Sequence, residues 1–234
     1  MYVLHIANKN YSSWSLRAWL LLRGLSIPFE ERLHPFDPDG SSFAAFREFS
    51  PSGMVPCLED GPVKVWDSLA IAEYLAEAHE GVWPAGRDAR AWARSVSAEM
   101  HSGFTALRSI CSMSVGVRVR LARIAPALQK DLDRIAEIWT EGLARFGGPY
   151  LAGARFTAVD AMYAPVAYRI RTYGLELPGP AMGWAERMLA HPAMAEWERA
   201  AIEEPYREPG HDAEIAAQGV LIEDRRVPPA RTGG

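Results

Sequence analysis

The chain changes character near residue 81. Before that point, short apolar runs of strand length alternate with segments of helical spacing. Beyond it, nearly every stretch has helical periodicity. A small α/β unit followed by a larger helical unit is the architecture this order allows. Residues 2–7 read as a short buried strand, 15–23 as a helix stopped at Gly24, and 28–33 as a second strand. Residues 37–42 read as a loop, and 43–49 as a short helix ending before Pro51. Residues 55–59 and 63–66 flank Asp60-Gly61, a hairpin signal. Leu69, Ile71, Ala72, Tyr74 and Leu75 then follow helical spacing, with Ser68 expected as the N-cap.

Residues 81–86 read as a linker, which sets expected units of 1–80, 81–88 and 89–210, with an extension at 211–234. Long helices are expected over 89–112 and 124–146, and another from the capping-box pair Thr157/Asp160 to Tyr173. Shorter ones follow near 180–190 and 193–204, and the Pro- and Gly-rich stretch 224–234 is expected to fray.

Lys plus Arg number 25 against 29 Asp plus Glu, giving a net charge of -4. That lacks the basic excess of a dedicated nucleic-acid binder. The two cysteines, Cys57 and Cys111, are too few for a disulfide framework or a zinc cluster. No metal is expected. The N-terminus lacks the pattern of a signal peptide, and no run approaches the ~20 apolar residues of a membrane span. A reducing cytoplasm is the expected location. Eight tryptophans hint at a concave site without locating it.

The turn after the first strand is the most informative place chemically. A strand feeding a helix gathers unpaired N–H groups and the positive helix end at one point, and that point stabilises an anion. A thioredoxin-type fold holds a Cys-x-x-Cys pair there. This chain has Ser12-Ser13-Trp14-Ser15. Serine removes the redox nucleophile but keeps hydroxyl donors, so a thiolate brought by a cofactor could be bound while dithiol exchange could not occur. Turn and N-cap duty explains the serines equally well, and Ser15 reads as a cap.

Two further features stand beside it. In Pro51-Ser52-Gly53-Met54-Val55-Pro56 a proline enters a strand, where it gives no ladder donor. A cis Val55-Pro56 bond would leave the Val55 backbone free to pair with an extended peptide; an ordinary trans proline is the plainer reading. Asp67-Ser68 at a helix start suits a headgroup carrying both charges, or simply caps the helix.

Taken in order, these segments resemble the soluble glutathione S-transferases over residues 2–205. Ser12-Ser13-Trp14-Ser15-Leu16-Arg17 looks like the Ser-Ser-Cys-Ser-x-Arg signature of the zeta class, with Trp14 where that class has cysteine. Pro51 to Pro56 matches the family's Pro-x-Gly-x-Val-Pro segment. Asp67-Ser68 stands where the family has Glu-Ser or Gln-Ser, and Phe156 to Asp160 resembles its helical capping motif.

The resemblance implies a thioredoxin-like α/β domain plus an all-α domain, in a homodimer. It implies glutathione as co-substrate. Val55 and Pro56 would meet its cysteinyl backbone, Asp67 and Ser68 its γ-glutamyl end, and Ser12 or Ser13 its sulfur. Ser12 matches the first serine of the signature and Ser13 is close behind.

The second substrate, a small electrophile, is expected against the helical half. His101, Phe104 and Arg108 lie three to four residues apart there and would share a helix face able to take an anion, although a core or dimer face fits them as well. Cys57 is expected to be buried and inert, and Asp160 to cap its helix. Three functions remain open: conjugation of electrophiles, cis-trans isomerisation of the maleylacetoacetate type, and a transferase-like binding protein without turnover.

Overall fold

The computed structural model describes residues 1–38 and 41–229. Strand β1 (Tyr2–Ile6) is central in a four-stranded sheet of order β2-β1-β3-β4. It pairs parallel with β2 (Phe29–Leu33) and antiparallel with β3 (Cys57–Asp60), and β3 turns through Gly61 into β4 (Val63–Val65). Gly61 has φ +57°, the left-handed value such a tight turn demands. Leu4, Ile6 and Leu58 are wholly buried on the side covered by α1 (Ser13–Gly24) and α3 (Ser68–Ala78). Helix α2 (Phe43–Phe46) is a single turn.

Residues 81–86 connect α3 to α4 (Arg87–Ser102), with the Val82 carbonyl accepting from Ala158 N–H at 2.8 Å. The helical half continues through α5 (Thr105–Ile110), α6 (Pro126–Phe146), α7 (Ala158–Tyr173), α8 (Gly179–Leu189) and α9 (Pro192–Glu203). Helix α7 is its axle. Nearly all its residues are buried, and it packs on α1, α4 and α8. One apolar core therefore runs without a break from β1 to α9.

The Thr157/Asp160 capping box forms as expected. Asp160 is fully buried and accepts from the Leu151 N–H, the Thr157 N–H and the Trp184 indole at 2.9–3.0 Å. Burial pushes its carboxyl up to about 6 against those donors.

Several expectations need correction. Residues 89–112 do not form one helix. α4 ends at Ser102, Gly103 is extended, and Phe104 takes the left-handed conformation at φ 58° before α5 starts. A side chain at Gly103 would meet the Glu99 carbonyl at 2.8 Å, so α4 closes on a residue that only glycine suits. Asp67 is the N-cap of α3, and Ser68 is its first residue.

The helical half is also not purely helical. β5 (Val117–Leu121) pairs antiparallel with β6 (Gly219–Asp224), with an irregularity at Arg118/Val119. The expected extension is thus built as α10 (Pro209–Gln218) and β6. Beyond β6, Arg225 N–H donates to the Gly116 carbonyl and Val227 N–H to the Ile202 carbonyl, both at 2.9 Å, so 225–227 lie against the body. Residues 230–234 of the expected frayed tail lie outside the described residues, as do positions 39 and 40 of the 37–42 loop.

Candidate functional site

The turn between β1 and α1 is held from below by the helical half. Glu204, at the end of α9, accepts from the Lys9 N–H at 2.7 Å and the Asn10 N–H at 3.3 Å. The Trp197 indole donates to the Lys9 carbonyl at 2.9 Å, and Asn10 bonds Ala201 and Gly116. Burial pushes the Glu204 carboxyl up to about 7 despite these donors.

Ser12 caps α1: its Oγ accepts from the Ser15 N–H at 3.3 Å and donates to Ser15 Oγ at 2.7 Å. Ser15 Oγ in turn accepts from the Ala7 N–H at 3.1 Å, so the cap expected at Ser15 belongs to Ser12 and Ser15 ties the helix to the end of β1. Ser12 also lines a cavity of about 570 Å³. Ser13 is not among the residues lining it. Its Oγ instead accepts from Arg169 Nη2, on α7, at 3.4 Å.

The cavity is walled by Trp14, Phe36, Phe43, Phe46 and the Gly53–Val55 stretch on one side. Glu208, His211 and Glu214 of the α10 segment form the other. The Val55-Pro56 bond is cis, and no backbone hydrogen-bond partner of Val55 is found among the described residues.

Asp67 stands at the helical half. Its Oδ1 accepts from the Leu69 N–H at 2.9 Å, and its Oδ2 lies 2.6 Å from His101 Nε2. Burial opposes ionisation of Asp67, but His101 and the Leu69 N–H outweigh it and hold the carboxyl below its usual range. Ser68 is 2% exposed, and its Oγ has no partner. An orphaned hydroxyl at a helix start is a donor awaiting an acceptor, which fits a ligand carboxylate.

The three expected pocket residues part ways. His101 meets Trp14 edge-on at 5.2 Å as well as Asp67. Phe104 is 7% exposed and packs on Tyr163, away from both cavities. Arg108 donates to the His101 carbonyl at 3.1 Å and to Met100, and lines a second cavity of about 510 Å³ with Thr105, Ser109, Ser112, Glu214 and Gln218.

Sequence reasoning did not find the charge gathered behind Trp14. The Arg17 guanidinium lies 4.4 Å from the Trp14 ring centroid and that of Arg108 lies 4.7 Å away. Arg17 is buried with Nε and Nη1 unpartnered, and burial, then Arg108 and Arg169, drive its pKa well down. Arg169 is also buried, with Nη1 unpartnered, and burial pushes it down to about 10. Arg169 was visible as a cation that follows the apolar run 161–168. Asp67 is the carboxylate felt by Arg17, and it is already engaged by His101.

The cysteines take no part. Cys57 is buried beside the Phe49 carbonyl, and Cys111 is buried with its thiol pushed up to about 12. Among the described residues, no group of three or more His, Cys, Asp or Glu could hold a metal, and no helix is long and apolar enough to cross a membrane.

Comparison with known proteins gives matches in both halves. Residues 11–78 match the family model described as glutathione S-transferase, N-terminal domain, and residues 118–200 match the glutathione S-transferase, C-terminal domain. Glutathione S-transferase F14 of Arabidopsis thaliana is 32% identical over 160 residues, which cover 62% of this chain and 62% of that protein's length. Maleylacetoacetate isomerase of Rattus norvegicus is 24% identical over 91% of this chain and 96% of its own. A Burkholderia glutathione transferase homolog solved with bound glutathione superposes with a TM-score of 0.62 at 22% identity, covering 86% of this chain and 97% of its own. Isozyme E7 of the Drosophila melanogaster glutathione S-transferase gives 0.65 at 19% identity, over 99% of this chain and 100% of its own.

Proposed function

The chain belongs to the glutathione S-transferase family, and from that premise we propose that it binds glutathione across the Ser12 cavity and transfers it to small electrophiles. The unpartnered Ser68 hydroxyl carries the reading, because a buried donor at that helix start has no protein acceptor. Ser68 and Asp67 would receive the γ-glutamyl carboxylate and ammonium. The free Val55 backbone, before Pro56, would pair with the cysteinyl unit as an added strand does. Ser12 is the hydroxyl at the sulfur, since it faces the cavity.

Glutathione supplies the nucleophilic thiol. A free thiol has a pKa of ~8.5, and lowering it by ~2 units requires ~2.7 kcal/mol. A charge-assisted hydrogen bond of ~1.5–3 kcal/mol, together with the α1 N-terminus, is enough. In Ser12→Ala, conjugation of an aryl halide should fall sharply while glutathione affinity changes little, and Ser13→Ala should have the smaller effect. Equal rates in the two variants would end the assignment. Failure of the unmodified protein to bind immobilised glutathione would instead favour a binding protein of another kind.

A second reading, glutathione-dependent cis-trans isomerisation of the maleylacetoacetate type, is favoured by one observation. Arg17, Arg108 and Arg169 hold more N–H donors than the protein has acceptors for, and a carboxylate on the second substrate would satisfy them. Arg108→Met should then raise KM for a cis-diacid about tenfold and leave KM for a neutral aryl halide unchanged. His101, through its hold on Asp67, would keep the glutamyl subsite in place, and Phe104 would support that subsite from the core.

A homodimer in the cytoplasm is part of the same proposal. Val63 and Trp66 of the α/β half are exposed large apolar side chains outside the cavity, as a covered face would require. Sedimentation would measure the mass directly.

A further inference from the structure

The Ser12 cavity contains an imidazole held as acid–base groups are held. Glu208 is the N-cap of α10, and its carboxylate accepts from the Gly210 N–H at 3.1 Å and the His211 N–H at 2.5 Å. The same carboxylate lies 2.5 Å from His211 Nδ1. Burial opposes ionisation of Glu208, but these donors outweigh it and hold the carboxyl below its usual range. An ionised carboxylate only accepts, so Nδ1 donates to it, and in the neutral ring Nε2 is the nitrogen with the lone pair.

The ring is clamped on both faces. Tyr11, the residue before Ser12, stacks on it with centroids 5.2 Å apart, and Phe36 stacks at 5.6 Å. Among the described residues Nε2 has no partner, and His211 lines the cavity that Ser12 opens into.

We infer that His211 is the acid–base group of this cavity, taking the thiol proton of glutathione on Nε2, with Glu208 as its positioning residue. The inference rests on the glutathione reading above. On ionisation the S–H proton moves to Nε2 while Ser12 holds the thiolate, and in the substitution step the sulfur electron pair forms the S–C bond. The bond from carbon to the halide breaks with its pair on the halide, which departs as the anion, and the imidazolium returns its proton to solvent. Thiol and aryl halide thus become thioether, halide ion and a released proton, with no other reactant.

The other charged groups near the ring are committed elsewhere. Asp212 pairs with the Tyr11 hydroxyl and Arg226, and Glu214 accepts from Ser112. Asp37 lines the same cavity from the other side and is also partnered.

The experiment measures kcat/KM for an aryl halide against pH in four proteins, alongside glutathione affinity. His211→Phe keeps both ring stacks and removes Nε2. It should lose 10²–10³-fold in kcat/KM, and its profile should lose the limb in which rate falls with acid, while glutathione still binds. Glu208→Gln keeps a capping acceptor and should move that limb to lower pH. His211→Ala should regain rate with added imidazole, which a merely structural histidine would not allow. A His211→Phe enzyme with the parent rate and profile overturns the inference, as does a His211→Ala loss that imidazole leaves untouched. If the unmodified protein fails to bind glutathione, the parent reading falls and takes this one with it.

Discussion

Ser12 and Ser13 are neighbours with opposite surroundings. Ser12 faces the cavity and spends its hydroxyl on the first turn of α1, whereas Ser13 faces a guanidinium on α7. No sequence signal separates two adjacent serines, because the choice is made by a residue 156 positions away. His211 and Glu208 were equally invisible, standing on either side of the boundary expected between the helical unit and the extension.

Asp67 and Ser68 were found together, with the capping duty on the wrong one. The structure gives the cap to Asp67 and leaves Ser68 with an unused hydroxyl.

Glu204 yields a pH test at this scale. Its carboxyl is raised from 4.5 to about 7, so folding favours the protonated acid. The cost is absent below pH 4.5, grows as pH rises, and is complete above about 7. It should reach on the order of 3 kcal/mol. Glu204→Gln, which keeps an acceptor for Lys9, should flatten that part of the stability curve in urea titrations at several pH values. An unchanged slope between pH 5 and 7 would contradict the assignment.

At the scale of elements, periodicity located β1, β3, α1 and α3 because each buries apolar side chains in the core. It joined α4 to α5 because apolar spacing continues through the break, and only the left-handed Phe104 and the backbone approach at Gly103 interrupt it. The alternation Val117-Arg118-Val119-Arg120-Leu121 is a strand signal, but its partner lies about 100 residues on, beyond any local pattern.

Helix α7 depends on Asp160. Asp160→Ala should leave the Leu151, Thr157 and Trp184 donors unmet in the core and cost roughly 3 kcal/mol or more. Asp160→Asn should recover part of that loss. Thermal melts of both variants would show the order.

Across the whole molecule, the α10–β6 segment is attached mostly by polar contacts: Ile215 is the buried side chain of α10. Arg226 binds Asp224, Asp212 and the Tyr11 hydroxyl, and its stem packs over Gly116. Arg226→Ala should loosen this segment, raising amide exchange across 209–218 while leaving α7 protected. Equal protection in parent and variant would show that the strap does not depend on Arg226. The two-part layout was legible because it follows from apolar spacing, whereas the strap was not, because ion pairs leave no periodic trace.

The turn that carries Ser12 is finished by groups at the far end of the chain. Lys9 and Asn10 find their acceptors on Glu204, 195 and 194 residues downstream. During synthesis, the strands and helices of the first 80 residues can pair as soon as they emerge. The serine turn cannot, because α9 is still inside the ribosome. A nascent chain arrested before residue 200 would therefore carry a formed sheet with an open-ended turn, and glutathione retention should appear only when the last helices are released.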